Sequence, residues 1–283
     1  MNTLSTKTYR DKYRSASLEV ALRNGLVAEA ICSVDRSDLK TLQSPYQTAP
    51  TVVVQALAGT YTPAAYTITD DTLTVADEFI VSEHIFDFEE SLSMFDLFAA
   101  RQEDQNYAVM AKIDGFVLNV ITEAGTGTYT TPAGGFTSAA NINEIMSNLA
   151  SKVAGFSESY NGLFLVIENT DVPGFIQAQA ANGFSFADAA LNNGFMSSYM
   201  GIDVYVVRSG VFKDATEGTQ TFTNAGHRVF GVKNVATYAA PRGIKFEEKA
   251  VSGKTGMELV TFGYIGAKVW APKASLIVDI TLA

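Results

Sequence analysis

The chain has 283 residues, of which 47% are hydrophobic and 18% are charged, and its formal net charge is −10. This composition predicts a folded protein with a substantial core and excludes an intrinsically disordered chain. The apolar stretches are broken by polar residues well before the roughly 18 residues needed to cross a bilayer, which excludes a membrane-spanning helix.

The charge is unevenly distributed along the chain. Residues 1–40 carry seven basic and five acidic side chains, residues 41–150 carry two basic and fourteen acidic ones, and residues 151–283 carry eleven of each. A protein that binds DNA irrespective of sequence needs a concentrated basic face. None is visible, so we expect no sequence-specific nucleic-acid binding and no nucleic-acid binding as the main activity.

The first 50 residues predict an arm. Residues 1–7 lack the apolar segment of a secretory signal, and a single cysteine, Cys32, offers no intramolecular disulfide, which fits a reducing cytoplasm. A short helical stretch at 17–23 ends at Asn24-Gly25. Residues 41–50, rich in Ser, Thr, Gln and Pro, are typical of a segment that lies across a neighbouring chain.

Residues 51–88 predict a long two-stranded β element. A β-branched run at 51–57 leads into a turn-rich tip at 60–71, and apolar residues at 73–75, 79–81 and 85–88 form the return. Asp77 and Glu78 predict a bulge or bend in the pairing.

Residues 91–122 carry the clearest helical pattern, with apolar side chains spaced by three or four residues from Phe95 to Val120. A helix of some 30 residues would span roughly 45 Å, long enough for a structural spine.

The rest of the chain mixes helices and strands. A loop at 125–137 precedes a helix that opens at 141–144 and presents Ile145, Leu149, Val153 and Phe156 on one side. The remaining predictions are strands at 163–167 and 202–207, a short helix after 171–173, and closing strands at 228–232, 244–248, 259–264, 267–270 and 274–280. This order predicts an α+β fold.

Motifs for chemistry are weak. Gly253-Lys254-Thr255 resembles the end of a phosphate-binding loop, but Glu248 stands where that motif needs a glycine, so we interpret the tripeptide as a hairpin turn. Cys32 has no basic neighbour to stabilise a thiolate and is expected to act as a small apolar residue.

Two further candidates receive a structural interpretation. His84 lies near Glu83 and Asp87, but the chain has one other histidine, so a multi-histidine metal site is not expected. Four acidic side chains lie at the predicted start of the long helix: Asp87, Glu89, Glu90 and Asp96. We interpret them as stabilising the positive end of the helix dipole rather than as ligands of a cation. We therefore expect no catalytic, cofactor-binding or metal-binding residues, no cofactor, and no enzymatic activity.

The order of segments resembles the Hong-Kong-97-type capsid fold of tailed double-stranded-DNA bacteriophages. The most similar stretches are 163–169 with 172–177, 201–205, and the closing segment 266–274. The resemblance implies an N-arm at 1–45, an extended E-loop at 46–88 and an A-domain at 140–224. It also implies a P-domain built from 89–139, with the spine helix at 91–122, and from the closing strands at 225–283.

The resemblance further implies a major capsid protein that assembles as pentamers and hexamers into an icosahedral shell around double-stranded DNA. We expect it in the virion, assembled in the host cytoplasm, with itself as main partner and with a separate scaffold protein, a portal and cement proteins as further partners. Some family members join subunits through an E-loop lysine; residues 41–111 contain no lysine, which predicts non-covalent shells.

Three alternatives stay open on the residues alone: an encapsulin-like nanocompartment shell, another β-rich virion structural protein, and an enzyme with a scattered active site. The long helix argues against a tail tube, and the absence of a recognisable catalytic motif argues against the enzyme.

Overall fold

The structure, a computed structural model, describes residues 26–47, 66–86, 97–153, 162–181, 195–251, 253 and 255–283, together with 52, 54, 57 and 59. Several sequence predictions lie outside these residues. They are the helical stretch at 17–23, most of the strand at 51–57, the first half of the tip at 60–71, the helix start at 91–96, and Phe156.

Before the longest helix, the described chain forms one short helix and four strands. They are α1 (Val27–Ile31), β1 (Ser33–Asp35), β2 (Thr41–Gln47), β3 (Ile68–Thr74) and β4 (Asp77–Ile85). Val27, Ala28 and Ile31 of α1 are buried, and the backbone N–H of Ala28 donates a 2.7 Å hydrogen bond to Asp114 Oδ1 in the long helix. This contact ties the start of the described chain to the core.

The long helix, α2, runs from Leu97 to Ala124. Its buried side is lined at helical spacing by Val109, Ile113, Phe116 and Ile121, whereas residues 101–104 are exposed. The helix therefore lies where the periodicity predicts it and ends two residues beyond the predicted position. Its exposed stretch coincides with the polar break in the apolar pattern.

The remaining elements follow in chain order. They are β5 (Gly127–Thr130), the 3-10 turn η1 (Gly135–Thr137), α3 (Ala139–Val153), β6 (Leu163–Glu168), α4 (Val172–Ala181), β7 (Phe195–Tyr199), β8 (Ile202–Val207), β9 (Asp214–Glu217), β10 (Gln220–Thr223), β11 (His227–Val232), β12 (Ala236–Ala239), β13 (Lys245–Ala250), β14 (Met257–Val269), η2 (Ala271–Leu276) and β15 (Ile277–Thr281).

Two larger sheets organise these strands. A six-stranded sheet has the order β5-β15-β11-β6-β8-β7. A second sheet has the order β1-β12-β14-β13, and β4 also pairs with β14, on the edge opposite β13. Two separate ribbons, β2–β3 and β9–β10, complete the β structure of the described residues. The mixture of sheets and helices is an α+β architecture, as predicted.

Strand pairing corrects part of the sequence interpretation. The partner of β3 is β2, which lies in the stretch at 41–50 assigned to the arm, and the return strand β4 pairs with β14 in another sheet. Asp77 is the first residue of β4, opposite Ile265, and the interruption of the β run lies just before it, at Val75 and Ala76. The described residues of 51–57, Val52, Val54 and Leu57, are not in a strand.

The closing strands differ from the prediction in their bounds. The strands predicted at 259–264 and 267–270 are one strand, β14, because Gly266 continues the pairing opposite Ala239. The strand predicted at 274–280 begins only at Ile277, since the preceding residues form η2 with a proline in its first turn.

The core between the six-stranded sheet and the helices is tightly packed. The Phe136 and Phe175 rings stack with centroids 5.6 Å apart, and both side chains are buried. A Cβ atom at Gly174 would overlap the backbone carbonyl oxygen of Phe136, so α4 approaches η1 more closely than any other residue would allow.

A buried ion cluster fixes the end of β6. Arg228 Nε lies 2.6 Å from Asp171 Oδ2, and its Nη2 lies 3.2 Å from Glu168 Oε2. Glu168 Oε1 in turn accepts a 2.9 Å hydrogen bond from the backbone N–H of Gly210. The cluster therefore joins β6, β11 and the loop after β8.

Candidate assembly surfaces

The β2–β3 ribbon, called the hairpin below, stands apart from both large sheets. Its register runs from Thr41 opposite Thr74 to Gln47 opposite Ile68, and the Val75 N–H donates to the Lys40 carbonyl oxygen at 2.8 Å to close its base. Pro45 lacks a backbone donor and is tolerated because β2 is an edge strand. A two-stranded ribbon of this kind is marginal in water unless it packs against something else.

The far end of the hairpin is apolar and exposed. Val52, Val54 and Leu57 have exposed fractions of 88%, 94% and 103%, and Tyr66 and Ile68 have 75% and 55%. Residues 41–69 contain no Asp, Glu, Lys, Arg or His. An exposed apolar patch without charges is typical of a surface that is buried against another chain.

The root of the hairpin packs on the core. Leu73 and Val75 are buried with Ala239, and Trp270 and Leu42 cover them. The indole N–H of Trp270 donates to Thr237 Oγ1 at 2.8 Å. The single tryptophan of the chain therefore lies at the junction of the hairpin with the second sheet.

Asp71 adds an ionic contact at this root. Its carboxylate pairs with the Lys268 ammonium, and its Oδ2 accepts a 2.9 Å hydrogen bond from the backbone N–H of Ala271. Burial acts to raise the pKa of Asp71, but the hydrogen bonds from Ala271 and Lys268 outweigh it and hold the pKa below its usual range. The carboxylate is therefore charged at neutral pH.

A second apolar surface lies on the face of β4 and β14 that α2 does not cover. Ile80 is opposite Phe262 in the register and is 60% exposed, and Tyr264 is 40% exposed. The rings of Phe262 and Tyr264 meet edge to face with centroids 6.0 Å apart. We call Ile80, Phe262 and Tyr264 the open face.

The other face of the same strands is closed by α2. Phe79 of β4 packs against Phe116 of α2 with centroids 5.2 Å apart. Gln105 of α2 accepts a 2.8 Å hydrogen bond from Thr261 Oγ1. The strands β4 and β14 thus have one face packed on α2 and one more exposed face, where Ile80 and Tyr264 lie beside the polar Glu78 and Ser82.

The predicted chemical candidates are not brought together. His84 Nε2 lies 3.2 Å from the Thr255 carbonyl oxygen and its ring meets Phe86, whereas Glu83, on the opposite face of β4, accepts from Gln105 at 3.2 Å. The acidic candidates Asp87, Glu89, Glu90 and Asp96 lie outside the described residues. Within the part of the chain that the structure describes, no group of three or more His, Cys, Asp or Glu side chains could hold a metal ion.

The other two candidates have structural positions. Gly253 and Thr255 lie in the turn between β13 and β14, which pair in antiparallel fashion, and Lys254 lies outside the described residues. Cys32 is buried, and burial raises the pKa of its thiol, with the Asp114 carboxylate adding to the effect. No helix among the described residues is long and apolar enough to cross a membrane.

Sequence reasoning missed the open face and the roles of Asp71 and Asp77. The charge-free run at 41–69 is a sequence signal for the apolar end of the hairpin, but it includes none of these residues. The open face gave no such signal, because Ile80 and Phe262 come from strands about 180 residues apart and meet only through the register of β4 with β14.

Comparison with known proteins shows a shared fold without sequence similarity. No protein-family model matches the chain, and no curated protein matches it in sequence. Among solved structures, the capsid of the cyanophage P-SCSP1u has 13% identity and a TM-score of 0.69, covering 94% of this chain and 90% of that one. The structure of Mycobacterium phage Che8 has 16% identity and a TM-score of 0.68, covering 93% of both chains.

A third similar structure is the capsid of a native GTA particle, with 15% identity, a TM-score of 0.68, and coverage of 94% of this chain and 93% of that one. The likeness spans nearly the whole length of this chain and of each similar chain. The chain therefore has the Hong-Kong-97-type α+β fold found in the capsids of tailed bacteriophages.

Proposed function

We propose that this chain is a major capsid protein that assembles as pentamers and hexamers into an icosahedral shell around double-stranded DNA. The observation that carries the proposal is the full-length likeness to capsid subunits, combined with a hairpin whose exposed apolar end has no partner surface among the described residues of its own chain. The similar structures include the capsids of a cyanophage and of a GTA particle, which favours a virion shell over an encapsulin-like compartment.

The proposed segments follow the capsid architecture. Residues 1–45 would be the N-arm, 46–88 the E-loop, 140–224 the A-domain, and 89–139 with 225–283 the P-domain. The hairpin supports the E-loop assignment, although its first strand begins at Thr41, five residues before the proposed start of the E-loop at residue 46.

The hairpin of one subunit would lie on the open face of a neighbouring subunit. Burying a side chain such as Val or Leu contributes roughly 1.5–3 kcal/mol, so Val52, Val54 and Leu57 together would contribute on the order of 5–9 kcal/mol before the cost of ordering the segment. Repeated by symmetry around every subunit, contacts of this size stabilise a closed shell.

The remaining parts of the proposal concern partners and location. The subunit would assemble in the host cytoplasm with a separate scaffold protein, a portal and cement proteins, and would then reside in the virion. It would act structurally, without enzymatic activity and without sequence-specific DNA binding, which agrees with the net charge of −10.

Deletion of the exposed end tests the proposal. Replacing residues 48–66 by a short Gly-Ser turn retains both paired strands and the root around Trp270. We expect a subunit that melts cooperatively but no longer forms shells, measured by negative-stain electron microscopy and sedimentation velocity.

Point substitutions provide a matched comparison at one position. Val54→Asp places a charge in the apolar contact and should abolish assembly, whereas Val54→Thr keeps the shape and should weaken it far less. A wild-type chain that remains a 30.4 kDa monomer with and without a scaffold protein would contradict the proposed function. A deletion variant that unfolds would instead show that the hairpin belongs to the core.

A further inference from the structure

The hairpin joins the rest of the chain through two short connections, residues 36–40 before β2 and Val75-Ala76 between β3 and β4. The paired strands reach from Val75 to Ile68, about 24 Å at roughly 3.4 Å per residue. A rotation of about 10° at the root would move that end by about 4 Å, close to the 4.7–4.9 Å spacing of neighbouring strands. A hairpin that docks on another subunit therefore needs a fixed angle.

A carboxylate clamp lies on each side of the Val75-Ala76 connection. On the hairpin side, Asp71 pairs with Lys268 and accepts from the Ala271 N–H, while the Lys268 ammonium also donates to the Thr72 carbonyl oxygen at 2.7 Å. These contacts hold β3 to the end of β14 and to the start of η2.

On the other side, Asp77 holds the tip of the β9–β10 ribbon. Its Oδ1 accepts from the backbone N–H of Thr219 at 2.7 Å, and its Oδ2 accepts from Thr219 Oγ1 at 3.1 Å. Gly218 has a positive φ of 58°, and a Cβ atom there would overlap the Asp77 carboxylate. The ribbon tip is therefore shaped to receive this side chain.

The β9–β10 ribbon is itself held on α2, so the position of Asp77 is fixed relative to the long helix. Glu217 accepts a 2.5 Å hydrogen bond from Lys112 of α2, and Thr223 Oγ1 donates to Glu123 of α2 at 3.3 Å. Both ends of the ribbon are thus held to the long helix, and Asp77 transmits that position to the start of β4.

We propose that Asp71 and Asp77 are positioning residues that fix the angle of the hairpin and thereby the curvature of the assembled shell. This inference rests on the proposed capsid function, since a wrong angle has no consequence in an isolated subunit. The clamps act on geometry, so their removal changes the shape of the particles more than the stability of the subunit.

The test is the double variant Asp71→Asn, Asp77→Asn. The control is Asp70→Asn, which removes an exposed carboxylate from the opposite face of the same strand. In unassembled subunits, we expect hydrogen exchange of residues 68–74 to become roughly tenfold faster or more in the double variant, because hydrogen bonds to carboxylates are among the stronger ones. Exchange of residues 163–168 should not change, and the control should match the wild type.

Electron microscopy of the assembled particles supplies the second measurement. We expect the double variant to form particles of widely scattered diameter, or open sheets, where the wild type and Asp70→Asn form one size. Unchanged exchange, or faster exchange with an unchanged diameter distribution, would overturn the inference and leave the capsid function intact. A wild type that forms no particles would refute the proposed function itself, together with the curvature role.

If the double variant does not fold, the clamp partners are changed instead. Lys268→Met and Thr219→Val each remove one donor and retain the carboxylates. The same two measurements apply, and the same outcomes support or overturn the inference.

Discussion

Replacing Arg228 by methionine should destabilise the subunit strongly. The guanidinium is 4% exposed and contacts both Glu168 and Asp171, whose carboxyl groups are also buried. Methionine fills most of the same volume but leaves the two carboxylates without their cation. Removing one partner of a buried ion pair costs about 3–5 kcal/mol, a large part of the 5–15 kcal/mol by which a typical domain is stable.

The chain offers a matched control for this substitution. Arg242 pairs with Asp38 at 3.6 Å, but both side chains are more than 60% exposed, so Arg242→Met should cost less than about 1 kcal/mol. The triple variant Arg228→Met, Glu168→Gln, Asp171→Asn removes the uncompensated charges and should recover part of the loss. Urea denaturation of unassembled subunits, followed by far-UV circular dichroism, measures all three.

The outcome decides between two views of the cluster. If Arg228→Met lowers the free energy of unfolding no more than Arg242→Met does, water reaches the two carboxylates, and the cluster does not stabilise the subunit as a buried ion pair would. If the triple variant is less stable than the single one, the backbone hydrogen bonds that the two carboxylates accept matter more than their uncompensated charges, and the electrostatic reasoning is wrong.

Three further predictions concern packing, pH and cross-linking. Gly174→Ala should destabilise the subunit by more than about 2 kcal/mol, because the new methyl group overlaps the Phe136 carbonyl; thermal melting checks this, and an unchanged melting temperature would contradict it. The pKa of Asp71 is lowered on folding. The stability that its charged carboxylate contributes is therefore fully present above the unfolded pKa of about 3.9 and is lost as the pH falls through the folded pKa. Trp270 fluorescence should therefore be constant from about pH 5 to 8 and change only in acid, with that change reduced in an Asp71→Asn variant. Because residues 41–111 contain no lysine, particles boiled in detergent should run as one band near 30.4 kDa, and a covalent ladder would refute this.

The helices and the buried strands follow from local patterns in the sequence. The three-to-four-residue spacing of apolar residues predicts α2 and α3, because a helix can bury one side only at that period. Continuous apolar runs predict β6 and β8, which pair in parallel inside the six-stranded sheet and are covered on both faces. These signals, with the order of the segments, were sufficient for the α+β class and for the capsid resemblance.

Tertiary structure alone decided which strands pair and which charges meet. The sequence of a strand does not identify the strand that it pairs with. Only the structure shows that β3 pairs with β2 and β4 with β14, in different sheets. Arg228 and Asp171 are 57 residues apart, and Asp77 and Thr219 are 142 apart. Contacts of that kind depend on the register of whole sheets, in which a shift of one residue turns every side chain to the opposite face.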